Sequence, residues 1–128
     1  MMTPEDFEKL VAEIGLSPVP QRFRQKIANV AFIIEDDVSD KLRAEMALPD
    51  DETLLGLYTG VPQTERDTTY GVGATMPDTI TLFREPILEA AEDDGVSVRQ
   101  VVEETIWHEV AHHFGLSDEE VERREVEK

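Results

Sequence analysis

An α+β fold is predicted for this 128-residue chain by the order of its patterned segments. A capped amphipathic stretch opens the chain, three short strand-like runs occupy its middle, and a long capped helical stretch follows them. Helices, then a small sheet, then helices indicates α+β. With 40% apolar residues the chain can bury one core, and residues 1–128 are read as a single domain.

Thr3-Pro4 opens the first helix, with Pro at the first helical position and acids in the first turn. Phe7, Leu10, Val11 and Ile14 follow at i, i+3, i+4 and i+7, and Gly15 ends it. LSPVPQ is a turn, and Phe23, Ile27 and Val30 mark a second amphipathic helix. VAFIIE, 30–35, is an apolar run and reads as a strand, followed by a short helix from Ser39 to Ala47. LLGLYTG, 54–60, reads as a second strand. The polar stretch 61–78 is a long loop, of the kind that in a compact domain is usually functional or mobile. TITLF, 79–83, alternates threonine with apolar residues as a strand does. Pro86 starts a helix that runs to about Asp93, and Gly95 breaks it. Ser97 with Gln100 forms a capping box for a helix over 98–114, ended by Gly115. Ser117 with Glu120 opens a short polar helix at the end.

The formal net charge is −17, from 29 acidic and 12 basic residues. Such a surface repels phosphate backbones and anionic membranes, so neither nucleic acid nor membrane is expected as a partner. The absence of cysteine excludes disulfides, thiolate zinc sites and cysteine nucleophiles. No basic stretch followed by an apolar run marks a leader, no segment is long and apolar enough to span a membrane, and the expected location is cytoplasmic.

All three histidines of the chain fall within HEVAHHFGLSD, 108–118. Residues four apart in a helix share a face about 6 Å apart along the axis, so His108 and His112 point the same way and one ion can bridge them. Glu109 lies about 100° round the helix from His108 and can reach a water on that ion. Two ligands and a general base on one helical turn are the reason H-E-x-x-H points to metal-assisted hydrolysis. Val101 and Thr105 share the histidine face, while Trp107, Val110, Ala111 and Phe114 cover the far side as core. This end of the helix is therefore expected to be buried, with the ligands facing an internal cleft.

A catalytic zinc usually has three protein ligands. Gly115 can reverse the chain and let Asp118 swing back to the ion, while Glu119, Glu120 and Glu122 are rivals from the following helix. His113, next to a ligand, points about 100° away and is read as a non-ligand.

HEVAHHFGLSD resembles the H-E-x-x-H-x-x-G-x-x-D form of the extended zincin motif. The chain as a whole, with LLGLYTGVPQTER and MPDTITLFREPI, resembles the small zincin-like metallopeptidases from about residue 20 to 120. That resemblance implies a minimal zincin-like α+β fold, with a small sheet packed against several helices, one bound Zn2+ and peptidase activity. It matches His108 and His112 to the helix ligands, Glu109 to the catalytic acid/base and Asp118 to the third ligand. No methionine follows Met76, so there is no Met-turn, and the resemblance to metzincins ends at the motif.

The expected activity is zinc-dependent cleavage of a peptide or protein substrate, with Glu109 taking a proton from water and delivering it to the leaving amine. Tyr58, Tyr70 and His113 are candidates for steadying the oxyanion. Two other functions use the same residues: a non-catalytic zinc-binding interaction module, and another zinc amide or ester hydrolase. Retention of Glu109 favours an enzyme, since a structural zinc needs no base beside it. The resemblance further suggests that an edge strand takes up substrate. Residues 79–83 are assigned that role, with 54–58 as the alternative.

Overall fold

A threonine, a glycine and a serine set ends of the two helices that frame the molecule. The computed structural model describes residues 2–27, 29–60 and 77–115. Helix α1 spans Pro4–Ile14; the Thr3 side chain accepts a hydrogen bond from the Asp6 amide at 3.1 Å, and the chain leaves through Gly15 at φ +50°. Phe7, Val11 and Ile14, from the predicted apolar stripe, are all buried. Helix α5 spans Val98–His113, capped by the Ser97 hydroxyl, which accepts from the Gln100 amide at 3.1 Å. The box is closed on one side only, because the Gln100 side chain donates to Glu104 at 3.1 Å. Between these lie α2 (Gln21–Arg24), β1 (Val30–Glu35), α3 (Asp40–Glu45), β2 (Gly56–Thr59), β3 (Asp78–Phe83) and α4 (Arg84–Asp94).

The three strands form one sheet in the order β1-β3-β2, with β1 parallel and β2 antiparallel to β3. Register aligns Phe32, Ile80 and Tyr58 in one row and Ile34, Leu82 and Gly56 in the next. These rows face the core, where α1 and α5 pack. The intervening row, Ile33, Thr81 and Leu57, lies on the other face, as the period of two requires. Ile33 on that face is exposed, whereas Ile80 and Leu82 are fully buried. The core is completed by Val102, Ile106, Trp107, Val110 and Ala111 from α5 and by Phe23 from α2, whose ring lies 5.6 Å from that of Trp107.

The structure is α+β with a small three-stranded sheet, as predicted. Several segments differ from expectation. The second amphipathic helix shrinks to the single turn of α2, because Val30 is claimed by β1, where the VAFII run gains a parallel ladder with β3. Helix α4 begins two residues before Pro86, which then sits in the first turn, where its missing N–H costs nothing. Strand β2 is shorter than 54–60. The most consequential correction concerns TITLF. It is central, flanked on both sides, and so offers no free edge to a substrate strand. The alternation that makes it the clearest strand in the sequence gives it two unlike faces and does not state which strands flank it. The long loop (apart from Pro77 and Asp78) and the helix expected after Ser117 lie outside the described residues.

Helix α5 approaches β2 closely at one point. A Cβ on Gly56 would stand 2.7 Å from the Thr105 methyl, 3.1 Å from the Thr81 carbonyl oxygen and 3.3 Å from a Leu82 methyl. Thr105 presents that methyl because its hydroxyl donates to the Val101 carbonyl at 2.7 Å, satisfied within the helix. Gly56→Ala should therefore destabilise the protein by about 1–3 kcal/mol, the scale of overpacking in a close-packed core. Adding Thr105→Ser, which removes the facing methyl, should recover part of the loss. Urea unfolding midpoints of the two single variants and the double variant measure both effects; strictly additive losses would show that the contact is not the cause.

Candidate metal centre and cleft

Helix α5 presents three different surfaces. Val102, Ile106 and Val110 are fully buried in the core, and Thr105 meets β2. His108 and His112, one turn apart, point into a cleft of about 330 Å³ together with Glu109. The cleft's remaining wall comes from residues 53–56 before and within β2, from Ala90 and Asp94 on α4, and from Val101, Glu104 and Thr105 on α5.

The two predicted ligand side chains share this space, with ring centroids 6.1 Å apart and planes nearly perpendicular. The His108 Nδ1 lies 2.9 Å from the Glu104 carbonyl oxygen. A carbonyl only accepts, so Nδ1 carries the proton, and in the neutral ring the lone pair is on Nε2. Orientation of a ligand imidazole by a backbone carbonyl on its second nitrogen is the arrangement that metal sites favour. His112 is exposed and His108 half-buried, so the cleft is open to solvent rather than the internal one expected. Val101 and Thr105 on the same face are buried, and the face opens to solvent only at its histidine end.

Glu109 is held differently. One of its oxygens, Oε1, accepts from the Tyr58 amide at 3.1 Å, across from β2. Burial between α5 and β2 holds its carboxyl above the usual carboxylate range; the Tyr58 hydrogen bond and the two nearby imidazoles oppose this without cancelling it. A carboxyl whose proton affinity is raised in this way is suited to accept a proton and return it.

Tyr58 ties a second group of residues to the site. Its hydroxyl donates to Asp78 Oδ2 at 2.7 Å, and its ring stacks on His113 with centroids 4.1 Å apart and planes 19° from parallel. His113 thus lies on Tyr58, away from the paired histidines, where its 100° offset on the helix sends it. The sequence marks Tyr58 only as an oxyanion candidate; its backbone contact to Glu109 has no sequence signal, because it depends on how β2 meets α5. Glu104, Ala90 and Asp94 are not foreseen in the cleft, although Glu104 stands one turn before His108. Asp118 and Tyr70 lie outside the described residues. Among the described residues, no set of three His, Asp or Glu side chains is grouped to hold a metal ion, and no helix is long and apolar enough to cross a membrane.

A helix carrying H-E-x-x-H, seated beside β2, an edge strand among the described residues of a small mixed sheet, defines the zincin class of architecture. The model of the zincin-like metallopeptidase family matches residues 27–128, and the chain belongs to that family. A conserved hypothetical protein of T. thermophilus has a similar structure, with a TM-score of 0.53 and 25% sequence identity over 88% of this chain and 94% of that one. No curated protein matches the chain.

Tyr58→Phe should keep the ring stack and the backbone bond to Glu109 while removing one donor from the buried Asp78 carboxylate. A loss of about 1–3 kcal/mol of stability is expected, the usual effect of depriving a buried charged acceptor of one partner. Thermal unfolding measures it; an unchanged midpoint would mean that the hydroxyl bond contributes nothing to the fold.

Proposed function

We propose that the protein is a zinc-dependent peptidase whose ion is held by His108, His112 and Asp118 and whose general base and acid is Glu109. The observation that carries this reading is the shared cleft of two imidazoles and a half-buried carboxyl on one turn of α5. The donor set suits the metal: His108 is oriented by the Glu104 carbonyl with Nε2 as its ligating nitrogen, and His112 faces the same space. Zinc, when bound, acidifies water and polarises a carbonyl.

The chain's own residues do the rest. Because Tyr58 N–H engages Oε1 of Glu109, Oε2 is the oxygen that takes the proton of the attacking water and later returns it to the departing amine. That same hydrogen bond keeps the carboxylate from swinging onto the ion as a further ligand. With TITLF central, the strand beside the site is β2, and its outer edge is where an extended substrate would pair. The Phe83 amide donates to the Leu55 carbonyl, so odd-numbered residues of this segment turn their backbone groups toward β3. Gly56 and Tyr58 turn theirs outward, toward Glu109 in the case of Tyr58.

Purified protein should carry about one zinc per chain, and His108→Ala or His112→Ala should lose most of it, measured by elemental analysis. Asp118→Ala should weaken zinc binding while Glu122→Ala should not; the opposite pattern would move the third ligand to the final helix. Glu109→Gln should retain zinc while peptide hydrolysis falls by about 10²–10⁴, the usual contribution of a positioned base. Equal inertness of wild type and Glu109→Gln across a broad peptide library would favour a zinc-binding interaction module instead.

A further inference from the structure

The cleft extends well beyond the paired histidines. Its α5 wall is formed by Val101, Glu104, Thr105, His108 and His112, at i, i+3, i+4, i+7 and i+11, so it runs along one helical face from the histidines toward the helix start. Over that length its lining is apolar at Leu54, Leu55, Ala90 and Val101. Two carboxylates also line it, Glu104 on α5, one turn before His108, and Asp94 on α4, both exposed to water. Glu104 is steadied by the Gln100 side chain, which donates to its Oε1 at 3.1 Å. Asp94 is the last residue of α4, where the carbonyl end of the helix adds its own negative potential. Among the described residues that line the cleft there is no lysine or arginine. The nearest cation on α5, Arg99, pairs with Glu13 on α1 at 3.1 Å and is not among the lining residues.

A cleft that sets apolar lining beside solvated carboxylates matches a side chain with a long aliphatic stem and a charged head. The stem is dehydrated along Leu54, Leu55 and Val101, while the head keeps part of its hydration beside Glu104 and Asp94. A purely aliphatic side chain would fill the cleft and gain nothing from the carboxylates, and an acidic one would meet two like charges. We propose that this cleft is the subsite for a lysine or arginine side chain next to the scissile bond, with Glu104 and Asp94 as its specificity-determining residues. The assignment rests on the peptidase reading of the same site for its relation to a scissile bond, but the preference itself is a property of binding.

The test therefore separates binding from turnover. Blocked peptides that differ at a single position, carrying lysine, arginine, norleucine or glutamate, are titrated into zinc-loaded Glu109→Gln protein and followed by calorimetry and amide NMR shifts. In parallel they are offered to the wild type as substrates. The lysine and arginine peptides should bind about tenfold more tightly than norleucine, the scale of two partly exposed ion pairs, and the glutamate peptide more weakly than either. The shifts should cluster in residues 54–56, 90–94 and 101–105. Adding Glu104→Gln and Asp94→Asn should bring lysine and norleucine level, and raised salt should narrow their difference in the parent protein. Equal binding of lysine and norleucine, a lysine preference that survives both neutralisations, shifts outside the cleft, or no binding at all would each overturn the assignment. Binding with lysine preference but without cleavage by the wild type would sink the peptidase reading alone. Cleavage without basic preference would leave that reading standing and sink this one.

Discussion

The seating of α5 against β2 is the contact from which the rest of the site follows. It depends on an absent side chain: at Gly56 any Cβ would press on the Thr105 methyl at 2.7 Å. With that space clear, the helix lies close enough for the Tyr58 amide to reach Glu109 at 3.1 Å and for the Tyr58 ring to stack on His113. The same approach removes water from around Glu109 and raises its proton affinity. A wider gap would let water solvate the carboxylate, free it to rotate, and open the cleft wall at residues 53–56. One small residue on an edge strand thus governs the position, the protonation and the enclosure of the candidate base.

Such a helix has to satisfy opposing demands along a few turns. Val102, Ile106, Trp107 and Val110 are buried, and each buried side chain of this size contributes about 1.5–3 kcal/mol from area removed from water. Against that stands the cost of partly burying Glu109, which its hydrogen bond from Tyr58 offsets in part. The apolar side of α5 holds the helix in place firmly enough that the polar side need not contribute to stability. The core behind the helix sets where His108 and His112 stand, and the Glu104 carbonyl orients the His108 ring. For the metal proposed above, a pair carried on one helix would incur less ordering cost than ligands on a loop.

Charge acts on a longer scale. A chain of net −17 has a surface that favours cationic partners in general, but a global charge selects no particular residue of a partner. The cleft adds local direction, because its apolar floor and its two carboxylates act on the same side chain. Lysine or arginine would be drawn by the whole field and then discriminated by two named carboxylates.

Much of the scaffold is legible in the chain itself. Caps at Thr3 and Ser97, stops at Gly15 and Gly95, and the alternation of TITLF are local patterns, governed by backbone geometry within a few residues, and all reappear in the structure. The pairing of His108 with His112 on one side of a helix is equally local, since it follows from the helical repeat. Strand order is not, because alternation states that a strand has two faces without stating which neighbours it has; TITLF is central and β2 the edge. The second helix fails for a related reason: Val30 fits a helical stripe and a strand equally well, and the parallel ladder with β3 settles it. Sequence alone determined the helix that presents His108, Glu109 and His112. Tertiary structure decided that the histidine face is open, that the Tyr58 amide holds Glu109, and that Leu54, Ala90, Asp94 and Glu104 share one cleft, because each of these depends on elements far apart in the chain meeting at distances no local pattern encodes.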